Sequence, residues 1–344
     1  MKVAIAGAGG YMGRQFLGAA LSAGDEICVC DPSFSEAPPG TYIAAGADEL
    51  FGWEPDCVIL SLQPSDRKEY LEALPGYRGP CLVEKPFAGP PGENGDTEEA
   101  ARLLDLYGGN ENIMFDFTEI FRHTFRRSLE YMDELGLEPS TYHMVTTKDR
   151  DFGGDERNSA PMHDITCQDA CHRLAIPEAT EMHLGGGGIL VVRADTKDNM
   201  THPYQKGKIG EVSGSFATWR GATGSFLQSF LIPGRRNYRI IGLTDENGDR
   251  YAFEFETHYV GDRFSDMLSV YLPGNRFDEP RSIVEAPTTN GETAYNALKR
   301  WEDTGEKPEP FPGKDFALKV WNVTRSLDRS IKNDRQAEVV TEGL

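Results

Sequence analysis

The chain has 344 residues, 39% of them hydrophobic and 10% aromatic, which is enough for packed cores and long enough for two domains. Its formal net charge of −20 argues against sequence-independent binding of nucleic acid, which takes clustered Lys and Arg. No apolar run approaches the ~18 residues of a membrane span, and six cysteines in a chain this long do not make a disulfide framework, so a reduced, cytoplasmic protein is expected.

From residue 1 to 118, strand-like and helix-like segments alternate. "KVAIAG" is a short apolar run that enters a glycine cluster at once, as a strand does and a secretory signal does not. "YMGRQFLGAALSAG" has helical spacing and ends on Gly24. "EICVCD" and "DCVILSLQP" read as further strands, the second ending at Pro64, and residues 65–74 look helical. "PCLVEKP" is another strand, "DTEEAARLLDLYG" a helix with Asp96 or Thr97 near its N-cap, and "NIMFDF" closes the series. Strands separated by helices imply an α/β domain, a doubly wound parallel sheet of the Rossmann kind.

Near residue 119 the pattern changes. "FRHTFRRSLEYMDELG" is an amphipathic helix, "STYHMVTTKDRDF" is strand-like, and "MHDITCQDACHRLAI" reads as a helix. Beyond it come "GILVVRADT", "EVSGSFATWRG", "GSFLQSFLIPG", "RNYRIIGLTDENGDRYAFEFET" and "DMLSVYLPG", strand-like runs that meet at Gly, Asn-Gly or Pro-Gly as hairpins do. "KDFALKVWNVTRSLDRSIKN" is a last amphipathic helix. The expected division is a dinucleotide-binding domain over 1–118 and an α+β domain with a large, mainly antiparallel sheet over 119–344. The final helix, 314–333, is a candidate to pack back on the first domain.

Two stretches of the first domain carry chemistry. "VAIAGAGGYMG" sets Gly7, Gly9, Gly10 and Gly13 between the first strand and the first helix. A dinucleotide needs a tight turn without Cβ, close backbone approach to its pyrophosphate and the positive end of a helix. Met12 stands where G-x-G-x-x-G would have its third glycine, so the frame is Gly7-x-x-Gly10-x-x-Gly13. Asp31 ends the second strand, 24 residues after Gly7, where a carboxylate accepts from ribose hydroxyls and repels a 2′-phosphate. That favours NAD(H) over NADP(H). In "CLVEKPF", an apolar strand ends on Glu84, Lys85 and Pro86. The plain reading is an ion pair at a strand end; the sharper one is a lysine delivered to the carboxyl edge of the sheet, where such sheets bind ligands.

In the second domain, His163, Cys167 and Cys171 fall at i, i+4 and i+8 of the helical run. Imidazole and thiolate suit zinc, yet ligands strung over about 12 Å of one helix, at ~1.5 Å per residue, cannot converge on one ion. No metal is expected.

The order and separation of these features resemble the Gfo/Idh/MocA family of glucose–fructose oxidoreductases and inositol dehydrogenases: an N-terminal glycine loop, a strand ending at Pro64, Glu84-Lys85-Pro86, a His163-Asp164 pair on a helix, "RNYRIIG" in the sheet, and Asp315, Ser326 and Ser330 in the last helix. The resemblance spans most of the chain. It implies an NAD(P)-dependent enzyme that moves a hydride between nicotinamide and a hydroxyl or carbonyl carbon of a sugar, cyclitol or related small molecule. It places the cofactor on Gly7, Gly9, Gly10, Tyr11, Met12, Gly13, Asp31, Leu62, Pro64, Glu84 and Lys85. Lys85 would polarise the reacting oxygen, and His163, oriented by Asp164, would act as acid/base. Family members commonly carry aspartate four residues before that histidine, where this chain has Ser159. That departure leaves open a non-catalytic dinucleotide sensor, and, since fold does not fix substrate, a reductase of a C=N or tetrapyrrole bond is a further alternative. The resemblance further implies a dimer or tetramer formed through the second-domain sheet.

Overall fold

The computed structural model describes residues 1–88, 96–108, 111–147, 170–199, 208–232, 236–261, 263–274 and 280–340. The chain divides into two compact units, Met1–Phe121 with Thr288–Leu318, and Arg122–Pro287 with Lys319–Gly343.

In the first unit, β1 (Lys2–Ala6), β2 (Glu26–Cys30), β3 (Thr41–Ile43), β4 (Cys57–Leu60), β5 (Cys81–Glu84) and β6 (Ile113–Asp116) form one sheet in the order β3-β2-β1-β4-β5-β6. Every pairing is parallel. Val3, Ile5, Val29, Ile59, Leu82 and Val83 have no exposure at all. Strands this uniformly apolar must be covered on both faces, and their order in the chain supplies the cover as crossover helices. These are α1 (Tyr11–Ser22), α2 (Ala47–Gly52), α3 (Lys68–Ala73) and α4 (Asp96–Tyr107). Strand order reverses between β1 and β4, which opens a crevice beyond their carboxyl ends.

A further helix of this unit, α8 (Asn290–Thr304), comes from far along the chain; the helices between are α5 (Thr118–Phe121), α6 (His123–Leu135) and α7 (Ala170–His183). Its start is a reciprocal capping box: Thr289 Oγ1 accepts from the Glu292 N–H at 3.1 Å, and Glu292 Oε2 accepts from the Thr289 N–H at 2.8 Å. Gly305, at φ +73°, ends it. The Gly291 N–H donates to Gln15 Oε1 on α1 at 3.0 Å, and a Cβ there would lie 2.5 Å from the Gln15 Cβ, so the two helices approach at a glycine. Ala294, Tyr295, Leu298 and Trp301 are buried. Past it, Pro312 O accepts from the Phe115 N–H at 2.8 Å, and Phe316 stacks edge-on against Phe117 at 5.3 Å. The expected second domain runs over 119–344 with the final helix a candidate to pack back on the first; Thr288–Leu318, which includes the start of that helix, sits with the first unit. The last helix, α9 (Lys314–Lys332), contains the boundary between the units.

In the second unit, β7 (Glu138–Thr147), β8 (Ile189–Asn199), β9 (Lys208–Thr218), β10 (Thr223–Ser229), β11 (Arg236–Thr244), β12 (Arg250–Val260), β13 (Arg263–Tyr271), β14 (Arg281–Val284) and β15 (Glu338–Val339) form one sheet. Its order is β14-β13-β12-β11-β7-β10-β9-β8-β15, antiparallel everywhere except at β7–β10. Burial along β11 alternates residue by residue, the signature of a sheet packed on one face only. That packed face carries a charged knot. The Asp266 carboxylate, fully buried, receives Arg122 Nη1 at 3.0 Å, Arg239 Nη2 at 2.7 and 2.9 Å, Thr124 Oγ1 at 2.6 Å and Thr257 Oγ1 at 2.6 Å. Arg122 stacks on Phe264 and Arg239 on Phe255. Burial alone would raise this carboxyl, but Arg239 and Arg122 hold it below the ordinary range.

Candidate active site at the carboxyl edge of the parallel sheet

β1 ends at the glycine loop. The Gly7 N–H donates to Cys30 O at 2.8 Å, and φ there is +77°, a left-handed conformation that suits glycine. A Cβ on Gly7 would lie 2.2 Å from Ser61 O, and one on Gly13 would lie 2.0 Å from Gly7 O, so both must be bare for α1 to start this close to the strand. Gly9 is held by Asp31: its N–H donates to Oδ2 at 2.8 Å, and a Cβ on Gly9 would collide with Ser33 Oγ. Gly10 caps α1 with no side-chain acceptor, and the first turn has no acidic residue. The amide groups at such an end, with the positive pole of the helix behind them, suit an anion. Tyr11 is exposed and Met12 half-buried at this end.

Asp31 lies half-buried beyond β2. Its Oδ1 accepts from the Ser33 N–H at 2.8 Å and the Ser33 hydroxyl at 2.5 Å. Partial burial would raise it, but the Ser33 hydroxyl, the Ser33 and Gly9 amides and Arg14 hold it below its ordinary value. It is therefore a fixed carboxylate next to the loop, with lone pairs remaining for further donors.

β4 leads into Leu62 and Pro64. Leu62 is half-buried, and its side chain approaches Gly7; Pro64, buried, begins a short 3-10 turn over Pro64–Asp66. That turn delivers Arg67, whose side chain has no exposure. Its Nε and Nη2 donate to Leu62 O at 3.1 and 3.0 Å, Nη1 donates to Pro86 O at 2.8 Å and Tyr107 Oη at 3.3 Å, and Nη2 also donates to Glu84 O. One guanidinium thus ties the exits of β4 and β5 together.

Glu84 and Lys85 are half-buried at the end of β5, and the Lys85–Pro86 peptide is cis. Beneath them Phe87, Tyr107 and Phe115 form an aromatic cluster with ring centroids 5.3–5.9 Å apart. Glu84 is in register with Asp116, the last residue of β6, which is 1% exposed and accepts from Thr118 Oγ1 at 2.8 Å. Burial pushes Glu84 up, against the pull of Lys85 and Arg67. Burial and the neighbouring Glu84 push Asp116 well above the carboxylate range, against Thr118 and Lys85.

The structure therefore brings Gly7, Gly9, Gly10, Tyr11, Met12, Gly13, Asp31, Leu62, Pro64, Glu84 and Lys85 to one edge of one sheet. His163 and Asp164 lie outside the described residues, as do Ser159 and Cys167. Among the described residues, no group of three or more His, Cys, Asp or Glu could hold a metal ion, and no helix is long and apolar enough to cross a membrane. Arg67 and Asp116 escaped the sequence reading. "SDRKEY" looks like a solvated helix start, and only the register of β6 on β5 sets Asp116 beside Glu84.

The glycines are bare where a Cβ would fill the loop, and the Asp31 carboxylate stands at the end of β2 beside it, so this edge fits a dinucleotide. A nicotinamide cofactor would supply or accept the hydride. Gly7–Gly13 and Asp31 would bind and orient it, and Lys85 would present a cation to the reacting oxygen.

No family model and no curated protein matches the sequence. Solved structures do match across the whole chain. A myo-inositol dehydrogenase from Corynebacterium glutamicum aligns at 14% identity and TM-score 0.72, over 100% of this chain and 99% of that one. An NAD-binding oxidoreductase from Klebsiella pneumoniae aligns at 13% and 0.74, over 100% of both chains. An oxidoreductase from Agrobacterium radiobacter, solved with NAD+, L-tartaric acid and magnesium, aligns at 15% and 0.69, over 99% of this chain and 98% of that one. From the glycine loop to the nine-stranded sheet, the chain has the fold of the Gfo/Idh/MocA-type oxidoreductases.

Proposed function

We propose that this protein is an NAD(P)-dependent oxidoreductase that moves a hydride between nicotinamide and a hydroxyl or carbonyl carbon of a sugar, cyclitol or related small molecule. The observation that carries the reading is the convergence of the glycine loop, Asp31 and Glu84-Lys85 on the carboxyl edge of a doubly wound sheet, around its switch point. The inositol dehydrogenase and NAD-bound oxidoreductase among its structural neighbours support the substrate class. Asp31 supports NAD(H) over NADP(H), because a fixed carboxylate repels a 2′-phosphate. Lys85 polarises the reacting oxygen, and His163 with Asp164 handles its proton. The five described cysteines are buried and free, which supports a reduced, cytoplasmic setting, and the one-sided burial of the second-unit sheet supports self-association to a dimer or tetramer.

Titration calorimetry with NAD+ and NADP+ tests the reading. Binding of NAD+ at least ~10-fold tighter, a difference of about 1.4 kcal/mol, is expected. Binding of neither cofactor would refute it, and equal binding would remove the role given to Asp31.

A further inference from the structure

The β4–β5 ladder ends at the pair Leu60 and Val83, and the β5–β6 ladder ends at Glu84 and Asp116. Lys85 lies beyond the last pair of both. A chain that has left its ladders belongs to the low-stability end of a fold unless other groups hold it. Here one buried guanidinium takes the carbonyl before the lysine and the carbonyl after it: Arg67 Nη2 donates to Glu84 O, and Nη1 donates to Pro86 O at 2.8 Å. The same fork donates to Leu62 O from Nε at 3.1 Å and from Nη2 at 3.0 Å. Leu62 borders the glycine loop, where a Cβ on Gly7 would lie 3.0 Å from its Cδ2. Behind the fork, Nη1 also donates to Tyr107 Oη at 3.3 Å, and Tyr107 is packed against Phe87 and Phe115. Among the described residues, none of these bonds goes to a carboxylate. A buried charge served only by neutral oxygens is a poor source of stability, but a planar fork with fixed donor directions is a good gauge of distance.

We propose that Arg67 is a positioning residue for Lys85: it fixes the main chain on both sides of the lysine against the exit of β4, and so sets where the ammonium stands relative to the glycine loop. Arg67 has no exposure, so it acts through the lysine and not on the substrate. The consequence for catalysis rests on the oxidoreductase reading. A cation that must meet a developing alkoxide works only when aligned beforehand, and a misplacement of about 1 Å can cost ~10²-fold in rate.

The hold on the main chain can be read without cofactor or turnover, so its test stands apart from that reading. Protein labelled with 15N at lysine gives a Lys85 amide resonance, identified by its loss in Lys85→Arg. Its NMR order parameter in the wild type is expected near ~0.85, the value of rigid backbone, although the residue lies past both ladders. A wild-type value below about 0.6 would overturn the proposal even where no Arg67 variant folds. In Arg67→Lys the order parameter should fall toward ~0.6, whereas in Asp266→Asn, destabilised within the second unit, it should stay where it was. An unchanged value in Arg67→Lys, or an equal fall in both variants, would also overturn it. In active enzyme, Arg67→Lys should lower kcat at least ~10-fold while the dissociation constant for NAD+ changes less than ~3-fold. Added to Lys85→Ala, the same substitution should lower kcat by no more than a further ~2-fold, because the group it serves is gone; losses that multiply would mean that Arg67 acts by another route. Absence of cofactor binding and turnover would remove the oxidoreductase reading, and the order parameters would still decide whether Arg67 holds the lysine.

Discussion

Arg67→Ala is the sharpest test of how this edge is built. The substitution takes the donors from three carbonyls, those of Leu62, Glu84 and Pro86, inside a region where the arginine itself has no exposure. A buried acceptor left unmet costs about 1–3 kcal/mol, so three set an upper limit of about 9. Two effects lower that figure. Water can reach the half-exposed Leu62, and removing the guanidinium removes its own desolvation penalty. The expected loss is about 3–5 kcal/mol, the usual range for breaking a buried charged network, against a typical total of about 5–15 kcal/mol. Equilibrium urea unfolding followed by far-UV circular dichroism would read it. Arg67→Lys should recover less than half, because one ammonium cannot reproduce a planar fork that reaches the exits of two strands. A loss under about 1 kcal/mol, with an unchanged denaturant slope, would show that the guanidinium clamp is incidental.

Other expectations follow from the same geometry. Gly13→Ala puts a Cβ 2.0 Å from Gly7 O and 2.8 Å from Ala8 Cα, so α1 must move off the loop; NAD+ affinity by fluorescence titration should fall at least ~10-fold, and an unchanged value would mean the loop does not hold the pyrophosphate. Lys85→Ala should lower turnover about 10²–10³-fold while the cofactor dissociation constant changes less than ~3-fold, and retained turnover would exclude the role given to the lysine. Asp266→Asn leaves Arg122 and Arg239 buried without their carboxylate and should cost about 3–5 kcal/mol at neutral pH. The folded carboxyl of Asp266 titrates below its unfolded value, so its stabilisation is complete above about pH 4 and is lost as pH falls through the folded value. The melting temperature of the wild type should therefore drop more steeply on acidification than that of the variant; parallel curves would contradict the assignment.

Local chemistry made much of the first unit legible. A glycine loop between a strand and a helix announces itself within a dozen residues, and "CLVEKPF" marks both a strand and its end. Alternating apolar residues likewise revealed β11 and its neighbours. What escaped depended on partners distant in sequence. Arg67 lies among charged residues that suggest a wet surface, and its burial follows only from carbonyls contributed by β4 and β5. Arg122, at the start of the amphipathic run "FRHTFRRSLEYMDELG", gives no local sign of burial, yet it meets an aspartate 144 residues away. α8 passed unnoticed although Thr289 and Glu292 spell out its capping box. Its membership of the first unit had no local signal at all. The candidate acid/base pair, His163 and Asp164, remains an expectation from sequence.

The first unit is written in two instalments, and that shapes its birth on the ribosome. Strands β1 to β6 emerge first, yet α8 and the Pro312 carbonyl that meets Phe115 follow only after the 166 residues from Arg122 to Pro287. At about 5–20 residues per second, the nascent sheet waits roughly 10–30 s for its last cover. During that interval the side of α1 destined for α8 and the rim of β6 are exposed apolar surface. A truncated product ending at Phe121 should consequently be a client of chaperones rather than a free-standing nucleotide-binding module.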